Sequence, residues 1–224
     1  MSAKKLFAGK SKIIYSTSSA HSGVINVWKH KQGLVLEVGG YPQSVSLDTP
    51  TLPDKYWFKA VNAISQKLKD PKRALIVGVG GATIFHLLTE RFPNLLITGI
   101  EIDPEVINVA RRFFDLDKVP NLEVVIGDGQ EYVVGYEGDP FDFTFIDAYL
   151  GGNFPLHFEE EDFLAKLKGI TKEDGLIIVN RASGFNRTAF KSLLGKVFAT
   201  VEVVKIPLPG FLGGLGGNYL YLCR

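Results

Sequence analysis

From residue 74 onward, strand-sized apolar runs alternate with helical stretches, and each run ends in glycine or a polar residue. The runs Ala74–Val77, Leu95–Ile100, Leu122–Ile126, Phe141–Ile146 and Leu176–Val179 are nearly continuous, with little polar alternation. A strand with one wet face alternates apolar and polar side chains; a strand buried on both faces does not. Helical stretches at 83–92, from Asp103, near 130, at 159–169 and at 185–199 supply the cover. The pattern therefore predicts an α/β domain built on a mostly parallel sheet with helices on both faces. Local punctuation agrees. Pro93 closes one helix, and Asp103-Pro104-Glu105 opens the next, with Asp as cap and Pro at the first helical position.

The tail breaks the alternation. Val201–Ile206 and Tyr219–Leu222 read as strands, and the linker 207–217 is too short and glycine-rich for a crossover helix. Two strands joined without a crossover pair antiparallel. Upstream, residues 12–47 form a small β unit, with runs at Ile13–Tyr15, Val24–Trp28 and Leu34–Val38 separated by turns at His21-Ser22-Gly23, Lys31-Gln32-Gly33 and Gly39-Gly40. Residues 54–69 show helical spacing through Trp57, Ala60, Val61, Ile64 and Leu68, with Asp54 as the expected cap. Two parts follow: a small β unit over 1–53 and a larger domain over 54–224.

Bulk composition excludes several classes of function. Of 224 residues, 46% are hydrophobic and 22% charged, and the net charge is +1. That balance suits a folded domain and gives no field to gather nucleic acid. The apolar runs are too short for a membrane span, and Met1–Lys5 is followed by no apolar stretch of signal-peptide length. The single cysteine, Cys223, fits a reducing, cytoplasmic setting and reads as a small apolar residue on the last strand. No Cys/His cluster has metal-ligand spacing, and neither a P-loop nor Gly-x-Ser-x-Gly is present.

Open α/β sheets bind ligands beyond the carboxyl ends of their strands. The residues just past four of the runs are Gly78-Val79-Gly80-Gly81, Glu101, Asp128 and Asp147. Gly78, Gly80 and Gly81 let a ligand approach the backbone at a helix start, or merely form a turn. Thr83, where a third glycine belongs, weakens a dinucleotide reading. Glu101 lies about twenty residues on, the spacing of an acid that accepts from ribose hydroxyls. Asp128 either accepts from an adenine amino group or caps the helix near 130. Asp147 stands where a sulfonium or substrate amine would sit, able to hold a cation or take a proton. His157 either lines the pocket or faces solvent. Glu159-Glu160-Glu161-Asp162 reads as a helix start suited to the dipole.

Ala74–Gly81, Gly99–Ile107, Gly127–Gly129, Phe141–Tyr149 and Pro155–His157 together resemble the spermidine-synthase-like branch of the class I S-adenosylmethionine-dependent transferases. The resemblance runs over about 12–182. It implies a Rossmann-like class I methyltransferase fold: a mostly parallel seven-stranded sheet with an antiparallel C-terminal hairpin, plus the small N-terminal β unit as a lid or dimerisation element. It implies that Glu101 holds ribose, Asp128 adenine, and that Asp147 faces the reacting end. Gln43, in Tyr41–Ser44, would reach the donor from the small unit. A homodimer through that unit is a further implication. Aminopropyltransferases of this branch carry an aspartate at the position of Gly81, a second acid after that matching Asp147, and an acidic Tyr-His-Glu stretch. Here those places read Gly81, Tyr149-Leu150-Gly151 and Lys55-Tyr56-Trp57-Phe58.

An aspartate beside the donor's ammonium suits decarboxylated S-adenosylmethionine and repels the carboxylate of intact S-adenosylmethionine. Glycine removes the repulsion and offers an N–H. The leading expectation is therefore methyl transfer from S-adenosylmethionine to an unknown acceptor, without a metal, with Asp147 and Tyr149 on the acceptor side. The alternative is aminopropyl transfer from decarboxylated S-adenosylmethionine to a polyamine. A nucleoside-binding module without turnover and, last, an NAD-dependent dehydrogenase complete the set. Tyr41, Trp57, Tyr149 and Phe154 are the aromatics expected at the pocket, and 210–217 reads as a gate or a turn.

Overall fold

The computed structural model describes residues 11–31, 33–182, 184–207 and 217–224. The expected loop at 210–217 lies almost wholly outside the described residues. Two sheets make the framework. The smaller has four antiparallel strands in sequence order: β1 (Lys12–Ser19), β2 (Gly23–His30), β3 (Gly33–Val38) and β4 (Tyr41–Val45). The fourth strand escaped the sequence reading, which recognised three. β4 is short, opens with Tyr41-Pro42, and its register against β3 shifts between Leu36 and Glu37, so it lacks a clean period-two pattern.

The larger sheet has seven strands in the order β10-β11-β9-β8-β5-β6-β7. Its parallel core is β5 (Arg73–Val77), β6 (Leu96–Glu101), β7 (Leu122–Ile126), β8 (Phe141–Ile146) and β9 (Thr171–Ala182). β10 (Val201–Pro207) and β11 (Gly217–Cys223) form the expected antiparallel hairpin, and β11 also runs antiparallel to β9. Strand order reverses at β5, between β6 and β8, which opens the crevice where such sheets take ligands.

Among the described residues six helices cover this sheet: α1 (Tyr56–Lys67), α2 (Thr83–Arg91), α3 (Pro104–Phe113), α4 (Gly129–Val134), α5 (Glu161–Gly169) and α6 (Arg187–Val197). Asp103 caps α3 as expected, accepting from the Glu105 N–H at 2.9 Å. Asp54 does not cap α1. It closes a short 3-10 turn, Leu52–Asp54, and Lys55 precedes the helix without a side-chain cap. Glu159 likewise belongs to a 3-10 turn, Leu156–Glu159, rather than to the helix.

Three apolar clusters hold the layers together. Ile76, Phe85, Ile64, Phe143 and Leu220 fill one face of the large sheet, and Val35 and Val45 of the small sheet join the same cluster. Leu75, Phe163, Leu164, Phe190 and Tyr221 fill the other face, with Cys223 among them. Burial pushes the Cys223 thiol up to about 12, so it stays protonated and inert. The third cluster joins the small sheet to α3 through Ile25, Val27, Leu36, Val106 and Phe114. Among the described residues, no helix is long and apolar enough to cross a membrane.

Candidate functional site

The strand tips of β5, β6, β7 and β8 surround one hollow whose walls include Gly78, Gly80, Glu101, Asp128, Asp147 and His157. The three acids therefore converge on a single site. Gly78 starts the turn after β5. Its φ of +101° is open to glycine, and a Cβ here would meet the Asp147 carbonyl oxygen at 2.3 Å. The close approach is fixed by backbone bonds: Asp147 N–H donates to the Val77 carbonyl and Gly78 N–H to the Ile100 carbonyl, each at 2.8 Å.

Gly81 has another role than the one expected. Its N–H donates to Ser44 Oγ at 2.7 Å, and it is absent from the wall of the hollow. A Cβ at this position would sit 2.6 Å from the Ser44 Cβ, so β4 leaves no room for a carboxylate there. The next residue, Ala82, takes a left-handed φ of 64° and stands at the N-cap of α2. Thr83, unexplained by its sequence context, clasps β4: its hydroxyl donates to the Val45 carbonyl at 2.7 Å and accepts the Val45 N–H at 3.1 Å.

Glu101 braces the glycine turn. Oε2 accepts the Val79 and Gly80 N–H groups at 3.1 and 3.2 Å, and Oε1 accepts the Asp103 N–H at 3.2 Å. Burial raises its pKa, opposed by these N–H bonds. Oε1 keeps acceptor capacity for one further donor. Asp128 caps α4 through Oδ1 alone, accepting Gln130 N–H at 2.7 Å and Glu131 N–H at 3.1 Å. Its two candidate roles are thus compatible, because Oδ2 accepts neither of these bonds.

Asp147 is the chemical centre of the hollow. Tyr56 donates its hydroxyl to Oδ2 at 2.8 Å, and Asn180 donates Nδ2 to Oδ1 at 2.7 Å. Burial lifts the Asp147 carboxyl to about 7, although both bonds favour its charged form. Burial, then the Asp147 charge, holds the Tyr56 hydroxyl well above its ordinary range, so Tyr56 stays a donor. Asn218 on β11 donates to Asn180 Oδ1 at 3.0 Å and orients that amide. Neither Tyr56 nor Asn180 was singled out from sequence as a site residue. Asn180 was findable, since it is the polar residue ending the fifth apolar run. Tyr56 was not, because it arrives from the first turn of α1.

Tyr149 lines the hollow, but its hydroxyl is engaged elsewhere. It donates to the Asn180 carbonyl at 3.0 Å and accepts the Ala182 N–H at 2.6 Å. That hydroxyl ties the loop after β8 to β9 rather than pointing a free proton carrier at an acceptor. Arg181 makes the same tie: its guanidinium pairs with Glu159 and lies 4.1 Å from the Phe154 ring centre. His157 joins the wall, and its Nε2 is buried without a hydrogen-bond partner among the described residues. Gln43 Nε2 donates to the Gly151 carbonyl at 3.1 Å, bridging the small sheet to this loop. Of the expected aromatics, Trp57 and Tyr149 reach the hollow. Tyr41 is 47% exposed and Phe154 packs on Arg181.

The hollow encloses about 80 Å³, well below the roughly 300–1,000 Å³ of small-molecule sites. Its walls include Gln43 of β4 and Ala148, Tyr149 and Leu150 of the loop after β8. Among the described residues no group of three His, Cys, Asp or Glu side chains is placed to hold a metal ion.

Residues 60–219 match the family model for the spermine/spermidine synthase domain. The polyamine aminopropyltransferase of Vibrio vulnificus is 28% identical over 183 residues, 78% of this chain and 61% of the relative. The eEF1A lysine and N-terminal methyltransferase of Homo sapiens is 33% identical over 124 residues, 50% of this chain and 18% of the relative. The chain thus spans less than two thirds of either relative. Among solved structures, spermidine synthase from Thermotoga maritima matches with a TM-score of 0.76 at 22% identity, over 95% of this chain and 72% of that one. Human methyltransferase-like protein 13, solved with SAH, gives 0.62 at 24% identity, over 75% and 78%. These likenesses establish the Rossmann-like methyltransferase-type fold. The relatives stand closer to the second functional expectation, aminopropyl transfer, than to the first. Since the matched stretch takes in most of the described sequence, from α1 to β11, the chain belongs to the spermine/spermidine synthase domain family.

Proposed function

We propose that this chain transfers an alkyl group from an S-adenosylmethionine-type sulfonium nucleoside to an amine nitrogen. The observation that carries the reading is Asp147, a carboxyl poised near 7 between the Tyr56 and Asn180 donors at the strand tips. A base of that strength suits proton transfer at neutral pH. The nucleophile's lone pair forms the new C–N bond while the C–S bond breaks, its electron pair passing to sulfur. The proton released from the amine goes to Asp147. The donor is already activated, so the protein's part is positioning and electrostatics. In this reading Glu101 holds ribose through its remaining acceptor capacity, and Asp128 Oδ2 takes the adenine amino group. Gly78 and Gly80 let the nucleoside approach, and Gln43 must leave Gly151 to admit it. The small β unit (1–53) acts as the lid of the larger domain (54–224).

Aminopropyl transfer from decarboxylated S-adenosylmethionine is the first form of this chemistry, supported by the family and by relatives carrying that activity in their names. Methyl transfer is the second, favoured by one specific feature: a Cβ at position 81 would crowd Ser44, so no acid fits there. Titration calorimetry with both nucleosides separates the two, followed by mass spectrometry of products with putrescine and spermidine present. Tighter binding of the decarboxylated donor with an added aminopropyl group supports the first form. Tighter binding of intact S-adenosylmethionine supports the second, and binding of neither refutes both.

A further inference from the structure

A second concavity lies on the far side of β9, between α6 and the edge strand β10. It encloses about 460 Å³, and its floor is Tyr219, Tyr221 and Val203. Val203 is 37% exposed on a strand whose outer edge has no partner among the described residues. The helix side carries two i,i+4 pairs, Arg187 with Lys191 and Thr188 with Ser192, all four exposed. Lys205 stands opposite Tyr219 in the hairpin register and Val203 opposite Tyr221, so both share the floor's face of the sheet.

The charge in this groove is one-sided. Arg187 donates to the Tyr219 hydroxyl at 2.6 Å and lies over that ring at 5.0 Å. Among the described residues, neither Arg187, Lys191 nor Lys205 forms an ion pair. Glu202, the acid on β10, pairs with Leu222 in register, projects to the opposite face and is bound by Lys67 at 2.6 Å. The groove shares no lining residue with the hollow around Asp147.

We infer that this groove docks an acidic, extended polypeptide segment of a partner protein. Cations one helical turn apart are about 5–6 Å apart at Cβ. Same-side residues of an extended chain repeat at about 6.6–6.8 Å, so acids at alternate positions meet Arg187 and Lys191. An apolar residue further along the same side covers Val203, and β10 offers unpaired main-chain groups to an added strand. That apolar floor and strand edge favour a peptide over a nucleic-acid backbone, as does the net charge of +1. The inference stands whichever alkyl group the other site transfers.

The test is fluorescence anisotropy with a labelled ten-residue peptide, Glu-Ser-Glu-Ser-Leu repeated twice, on the full chain. Its lysine-substituted counterpart and a ten-nucleotide oligouridylate serve as competitors. Binding should weaken at least tenfold in Lys191→Glu/Lys205→Glu, two exposed positions, and weaken as salt rises. Arg187→Glu should do the same. Circular dichroism and an unchanged affinity for S-adenosylhomocysteine show that the variants fold. No binding of the acidic peptide, equal binding by the variants, or oligouridylate competing as well as the peptide would each overturn the inference. None of these outcomes bears on Asp147.

Discussion

Replacing Asp147 by asparagine should make the ligand-free protein more stable at pH 8 than at pH 5, relative to the parent. The carboxyl is lifted from 3.8 to about 7 in the fold, so the native state holds this proton more tightly than the unfolded chain does. Stability from this group is therefore present at low pH and falls as pH rises from about 4 to 7. Asparagine keeps the shape and hydrogen bonds but has no proton to lose. Its amide oxygen accepts from Asn180, and its NH₂ donates to the Tyr56 hydroxyl. Between pH 5 and the lifted value lie about two pH units, roughly 3 kcal/mol of differential protonation. Relaxation of the fold around the ionised carboxylate recovers part of that, leaving roughly 1–2 kcal/mol. Other titrating groups are common to both proteins and cancel. Urea unfolding of parent and variant at pH 5 and pH 8 measures the difference directly. A gap that does not widen with pH, or a variant less stable at pH 8, would refute the argument. The same substitution should abolish alkyl transfer, since the proton acceptor is gone.

Three further outcomes follow from the geometry. Gly78→Ala should cost more than about 3 kcal/mol, because a Cβ must displace the Asp147 backbone at a φ unsuited to alanine; thermal unfolding with donor titration would show stability and binding lost together. Ser44→Ala leaves the Gly81 N–H without its partner in a buried setting and should cost roughly 1–3 kcal/mol in urea unfolding. Gln43→Ala removes the bridge to Gly151 and should speed nucleoside entry in stopped-flow mixing. An unchanged association rate would show that this contact does not limit access.

The large sheet was legible because its strands are buried on both faces, a demand that writes nearly unbroken apolar runs into the chain. The hairpin was legible because 207–217 is too short to cross the sheet. β4 was not, since Pro42 and the shifted register erase its alternation. At the site, the acids were found by position, each at or just past a strand tip. The cap role of Asp128 was also foreseen; what escaped was the partner sets of Glu101 and Asp147 and of the glycine turn. Tyr56 meets Asp147 across 91 residues and Ser44 meets Gly81 across 37, encounters no local pattern encodes. Tyr149 was placed correctly at the hollow, but which backbone groups would claim its hydroxyl depends on β9 lying alongside. The Asp54 cap failed because a proline-containing 3-10 turn took the residues just ahead of the helix.

The Thr83–Val45 clasp has a thermodynamic corollary. The turn that would cradle the nucleoside is stitched at one end to Glu101 and at the other to an edge strand of the small sheet. Anything that steadies this turn must, by reciprocity, make that sheet harder to peel away, and by the same factor in free energy. Saturating donor would then appear in hydrogen exchange as slower opening of Val45, which the turn holds through Thr83.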